Sequence, residues 1–389
     1  MFVELHLLQN FAPSNLNRDD TGAPKDCEFG GYRRARISSQ CLKRAIRRDA
    51  GFERFLAGRG GVRTRRLILE VAQRISDQRP VPANVVQVVS DVFKEGGIER
   101  PTAPNSDAER DTTKLILFMD RPAVDEIAAR FKERWQELAR GDREARDTAV
   151  KELGEILVQA VKAPDIALFG RMVEVDANRP FGKLQLRVDA ASQVAHALST
   201  NRVSMEFDFY TAVDDLLPEQ ERGAGMMGTV EFNSACFYRY ADVDVEQLKA
   251  NLGRDEDLAR GTVEAFIRAS VAAIPTGKQN SMAAQNSPSF VFAVVRRTGL
   301  WSLANAFTRP IRPDENRDLV QNSIRALDRF WGQLTTMYGD ADIVGKWLCM
   351  LGADELEHLR DARLENIDRL VERVAGAVAF DSGVVEAKA

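Results

Sequence analysis

The chain has 389 residues, 44% hydrophobic and 29% charged, the balance of an ordinary globular protein with room for a core and one or two sub-domains. No apolar stretch is long enough to span a bilayer, and the opening MFVELHLLQNF lacks a basic n-region, so it reads as a first strand of a cytoplasmic, non-membrane protein. A net charge of −4 argues against a generally basic surface, and four scattered cysteines (Cys27, Cys41, Cys236, Cys349) with three histidines favour reduced thiols over a zinc site.

Residues 2–8 alternate, with Val3, Leu5 and Leu7 on one face and Glu4 and His6 on the other, which predicts a half-exposed strand. The polar stretch NLNRDDTGAPKDCEFGGYRRAR reads as a loop, long enough to suggest function over simple connection. Ser38 or Ser39 then caps a helix running to about Asp49. From about 62 to 162 the pattern is mainly helical: ANVVQVVSDVFKEGG stops at Gly96-Gly97, and DEIAARFKERWQELARGD and REARDTAVKELGEILVQAV are amphipathic, with a polar break at 100–112.

After Pro164, DIALFGRMV reads as a short buried strand and VDAASQVAHALST as a helix. VSMEFDFYTAV and TVEFNSACFYRY are strands joined by DDLLPEQERGAGMMG, an extended hairpin whose tip carries Met226 and Met227. A helix at about 255–273, a strand at SFVFAVV, a helix at about 317–337, a strand at DIVGKWLCM and a helix at about 354–375 complete the order. Such an order suits an α+β fold, an antiparallel sheet packed on helices of the split βαβ kind.

Motifs of chemistry are missing. Gly339 and Gly345-Lys346 imitate a P-loop, but five residues separate the glycines and Trp347 stands where Ser or Thr would hold magnesium. There is no GxSxG elbow and no HExxH. Asp19, Asp20 and Asp26 share one loop and could bind a metal, although Asp, Asn and Gly there are first of all turn formers. The expectation is a protein without cofactor or catalytic role.

Charge is concentrated instead. Between Tyr32 and Arg66 stand twelve Arg or Lys against Asp49 and Glu53, a local balance of +10 that leaves −14 for the remainder. Within it, SSQCLKRAIRRD places Leu42, Ala45, Ile46 and Asp49 on one side of a helix. Gln40, Lys43, Arg44, Arg47 and Arg48 form an arc on the other. No acid interrupts that arc, and like charges at i, i+3 and i+4 repel unless an anion joins them, so the pattern points to phosphate. The helix start adds backbone N–H groups that could meet an anion.

The blocks NRDD, KDCEFGGYRRARISSQCLKRAIRR, ALFGRM, QVAHALST, FYTAVDDL, VEFNSACFYRYADV, GKQNSMAAQNSP and LANAF, in order from about residue 15 to 307, resemble the CasC backbone subunits of type I-E CRISPR Cascade. The resemblance implies a modified RRM-like (ferredoxin-like) palm at 1–61 and 163–389, a helical fingers insertion at 62–162 and a β-hairpin thumb at 203–240. It implies several copies stacked helically on the CRISPR guide RNA, each thumb kinking out one nucleotide, with target DNA pairing to the guide between kinks. Large, small, head and foot Cascade subunits would be the other partners.

Carried over by residue, the resemblance implies that Arg18, Ser38, Gln40, Lys43, Arg44 and Arg47 meet the RNA backbone. Met172, Tyr210 and Met227 would surround the displaced nucleotide, Arg171 would also bind RNA, and Lys278 would join from the GKQ loop. Two rivals remain: a metal-dependent ribonuclease of the type III backbone kind using Asp26, and a stand-alone RNA-binding protein.

Overall fold

The computed structural model describes residues 1–101, 112–213, 224–352 and 356–378. The polar break predicted at 100–112 and the hairpin tip fall largely outside these residues. The chain divides into two units, one of residues 1–52, 193–245 and 260–389, the other of residues 53–192 and 246–259. The second unit thus takes in 53–61 and 163–192, residues the resemblance assigns to the palm.

In the first unit the sheet runs Ile343–Met350, Phe290–Arg296, Phe2–Ser14, Ala224–Asp244, Ala197–Ser199, Tyr32–Ile37, Asp26–Phe29, with antiparallel neighbours throughout this order. Phe2–Ser14 is an interior strand: Leu5 pairs with Ala293 on one side and Ala241 on the other. Both its faces are covered. Val3, Leu5 and Leu7 are buried, and so are Glu4 and His6, which corrects the half-exposed reading.

One polar atom of each buried side chain on this face finds a partner, whereas Glu4 Oε2 and His6 Nε2 are buried without a hydrogen bond among the described residues. His6 Nδ1 lies 2.9 Å from the Tyr238 hydroxyl, and Glu4 Oε1 accepts from the Tyr240 hydroxyl (3.1 Å) and the Trp301 N–H. The helix Leu319–Tyr338 closes this face with Ile324, Leu327 and Trp331, and an Asp318/Gln321 capping box starts it. On the opposite face Arg239 bridges Gln9 Oε1 (2.6 Å) and the Ser270 carbonyl (2.7 Å) of the helix Glu256–Ala272.

Three other expectations change. The long polar loop contains a hairpin, Asp26–Phe29 against Tyr32–Ile37, turning on Gly30-Gly31. Both glycines have positive φ (62° and 78°), as a two-residue hairpin turn requires, and a Cβ on Gly30 would meet the Thr308 carbonyl at 2.1 Å. The segment read as helix in VDAASQVAHALST forms two short strands, Ser192–Val194 and Ala197–Ser199; Leu198 sits between Arg36 and Tyr238 in the sheet. The last helix begins only at Ile367, because Asn366 caps the Arg369 N–H (3.0 Å) after a 3-10 turn at Arg360–Ala362.

The second unit is a helical cluster beside a two-stranded ladder, Gly61–Thr64 against Leu117–Asp120. Helices Ala83–Gly96, Arg121–Glu133 and Arg143–Gln159 bury Val89, Phe93, Ile127, Phe131 and Leu153 in one core. Gly97, at φ 110°, ends the first of these in the left-handed conformation open to glycine. DIALF is helical, Pro164–Phe169, with Pro164 in the first turn, so the predicted strand is absent there. The whole is α+β, an antiparallel sheet with packed helices and a mainly helical second unit.

Candidate nucleic-acid interface

The basic helix spans Ser39–Arg47. Leu42, Ala45 and Ile46 anchor it, which turns Gln40, Lys43, Arg44, Arg47 and Arg48 outward. Gln40, Arg44 and Arg48 are exposed, whereas Lys43 and Arg47 are half-buried, and burial lowers the Lys43 pKa. Asp49 ends the arc by capping the N–H groups of Gly51 (2.9 Å) and Phe52 (3.0 Å).

The helix start departs from expectation. Ser38 is buried, and its hydroxyl oxygen accepts from the Cys41 N–H at 3.3 Å as the N-cap. The Ser38 N–H donates to Asn17 Oδ1 (2.8 Å) and the Ser39 N–H to His196 Nδ1 (3.4 Å). Most N–H groups expected to await an anion are therefore engaged within the chain, and Ser38 acts first as the cap.

Three separated segments meet at one open cleft of about 940 Å³. Its walls are the loop from Leu16 to Gly22, the helix side with Cys41, Arg44 and Arg48, and the segment from Ala272 to Gly277 with Gln279 and Gln285. Arg18 and Arg44 are both exposed at this cleft. Among the described residues neither guanidinium makes a hydrogen bond or ion pair.

Of the three acids lining the cleft, Asp19 and Asp49 are committed to local turns, while Asp20 is exposed. Asp19 Oδ1 accepts from the Thr21 hydroxyl (2.7 Å), the Thr21 N–H (2.9 Å) and the Ala23 N–H (3.0 Å), bonds that lower its pKa. Asp49 is the cap described above. Lys278 lies between the cleft residues Gly277 and Gln279 in the left-handed region, at φ 51°. That conformation is costly for a side-chain-bearing residue and must be held by its surroundings. One such constraint is visible: a Cβ on Gly277 would stand 2.4 Å from the Leu16 carbonyl, so the two loops touch backbone to backbone.

The remaining predicted residues are distributed differently. Arg171 is buried in the second unit, where its Nε donates to the Leu186 carbonyl (2.7 Å) and burial lowers its pKa to about 10. In this structure its guanidinium ties a loop. Met172, beside it, is 74% exposed. In the hairpin Glu206–Val213 and Ala224–Asp244, Phe207, Phe209 and Tyr210 are exposed, Phe209 by 78%. Met227 pairs with Thr211 in that hairpin, and its side chain, like that of Met226, lies outside the described residues.

The basic run also divides. Arg33 to Arg48 belong to the first unit and Arg54 to Arg66 to the second. Arg34 is fully buried: Nη1 donates to the carbonyls of Ser199 (3.0 Å) and Thr200 (2.7 Å), and Nη2 to those of Phe307 (2.6 Å) and Thr308 (3.2 Å). Its charge holds the hairpin strand against two loops, and nothing in the local sequence distinguishes it from Arg33, whose Nε pairs with Asp26. His196, at the helix start, was also missed because its segment read as helix.

The chain is similar to a chain of a solved CRISPR RNA-guided surveillance complex in a pre-nicking state, at 30% identity over 97% of this chain and 100% of that one, with a TM-score of 0.80. A chain of a second CRISPR RNA-guided surveillance complex, 24% identical over 97% of this chain and 99% of that one, shares the fold at a TM-score of 0.60. No curated protein matches. The family model for CT1975-like proteins matches residues 3–373, nearly the full length, and the chain belongs to the CT1975-like protein family.

Proposed function

We propose that this chain is a non-catalytic backbone subunit of a CRISPR surveillance complex of type I-E, several copies of which stack along the guide RNA. The observation that carries the reading is the acid-free arc from Gln40 to Arg48, which borders a cleft where Arg18 and Arg44 stand exposed without a protein partner among the described residues. Polyanion backbones are bound by such unpaired cations. The full-length likeness to a surveillance-complex chain supports the same reading.

The exposed Phe207, Phe209 and Tyr210 suit the hairpin to a thumb that stacks on or displaces bases of the guide. Target DNA would be met through the guide, and the other Cascade subunits would cap and line the filament. RNA length is the test. Light scattering of the purified chain with RNAs of increasing length should give complexes whose mass grows with the RNA, whereas one protomer per RNA at every length would refute stacking.

The rival reading, a metal-dependent ribonuclease, rests on Asp26. That carboxylate bonds to Arg33 within the hairpin, an arrangement suited to fixing the turn. Target RNA incubated with the assembled complex in magnesium or manganese should stay intact. Regularly spaced cuts, abolished by Asp26→Ala, would replace the scaffold reading with the nuclease one.

A further inference from the structure

His196 lies beside the start of the basic helix, in a short connection between Ser192–Val194 and Ala197–Ser199. Its Nδ1 is 3.1 Å from Arg36 Nη1 and 3.4 Å from the Ser39 nitrogen. A guanidinium has no acceptor and a backbone N–H can only donate, so both bonds require a lone pair on Nδ1. The ring proton therefore sits on Nε2. His196 is exposed, and among the described residues Nε2 has no protein acceptor.

The surroundings keep the ring neutral. Desolvation lowers its pKa, and the charges of Arg36 and Lys25 lower it further. Two cations and a fixed N–H donor thus converge at the N-terminal side of an arc already assigned to phosphate. The helix N–H groups do not themselves make this place, since the Ser39 N–H is engaged by the ring.

We infer that His196 is a further RNA-backbone ligand, donating its Nε2–H as a neutral imidazole to a phosphate oxygen that Arg36 and Lys25 also attract. This rests on the RNA-binding reading above. Arg36 then has two functions, supplying charge and fixing the tautomer through Nδ1.

The experiment separates a neutral donor from a cation by salt. A neutral ligand releases no counterion, so His196→Ala should weaken binding of single-stranded RNA by about tenfold, the low end for a hydrogen bond to a charged group, with an unchanged slope of log K against log salt. His196→Gln, which keeps a donor and an acceptor, should recover part of that loss, while His196→Phe should not. In the wild-type protein, ¹⁵N imidazole shifts should report the Nε2–H form, with the Nε2 signal moving when RNA is added.

Equal affinity of the Ala, Phe and wild-type proteins, a Nδ1–H tautomer, or a reduced salt slope in His196→Ala would each overturn the inference. If wild type itself fails to bind RNA, the broader functional reading fails instead, and the two outcomes are distinguishable.

Discussion

Replacing Arg18 and Arg44 together by Ala removes two exposed cations that face one cleft from different segments. The fold should hold, because Leu42, Ala45 and Ile46 anchor the helix and Ala is its best former. If each arginine neutralises one phosphate, the slope of log K against log salt falls by about 1.4, at about 0.7 per contact on a single strand. Between about 50 and about 200 mM salt, that difference amounts to about sevenfold in relative affinity. The variant should therefore be most impaired at low salt and approach wild type as salt rises. Fluorescence anisotropy with unrelated RNA sequences at several salt concentrations, together with a thermal melt to verify folding, makes the measurement. A correctly folded double variant with the wild-type slope would return these residues to an ordinary solvated surface.

Burial pushes the Glu4 carboxyl up to about 7 from its usual 4.5 despite its bonds to Trp301 and Tyr240 and the guanidinium of Arg296 3.9 Å away. The folded state therefore holds this proton more tightly than the unfolded one, a contribution complete below pH 4.5 and lost as pH rises through about 7. Glu4→Gln removes it, so the melting temperature of the variant relative to wild type should fall steadily from pH 7 to 4.5, by about 3 kcal/mol in stability; a constant difference would refute the assignment. His6, pushed down to about 3 by burial, works in the opposite sense and destabilises the fold as pH drops below 6.5 in both proteins. Arg34→Met leaves four carbonyls without their donor and should destabilise by about 3–5 kcal/mol in urea unfolding, unlike Arg33→Met at the exposed neighbour. Phe207→Ser with Phe209→Ser should cost little stability, since both rings are exposed, yet weaken RNA-driven multimerisation in light scattering; unchanged assembly would remove these rings from the interface.

The sequence by itself determined the elements whose information is local. The basic helix was readable because its buried and charged positions follow the helical period. The Gly96-Gly97 stop and the helices of the second unit follow from the same period and from glycine at a C-terminus. The ordered blocks around NRDD, GGYRRARISSQ and GKQNSM carry a resemblance to CRISPR surveillance-complex subunits, the coarser level at which the full-length likeness agrees. Tertiary structure decided what depends on how many sides of an element are covered. Alternation in VELHLL looks the same whether the polar face meets water or a helix, so only the position of Phe2–Ser14 inside the sheet shows that Glu4 and His6 are buried. The propensity of AASQVAHALST is helical, but pairing with Tyr32–Ile37 and Ala224–Asp244 outweighs it over three residues. Arg34, Ser38 and His196 show the same principle at the site: residue type declares the polar group, but whether it meets a carbonyl, a helix end or a guanidinium depends on the fold around it.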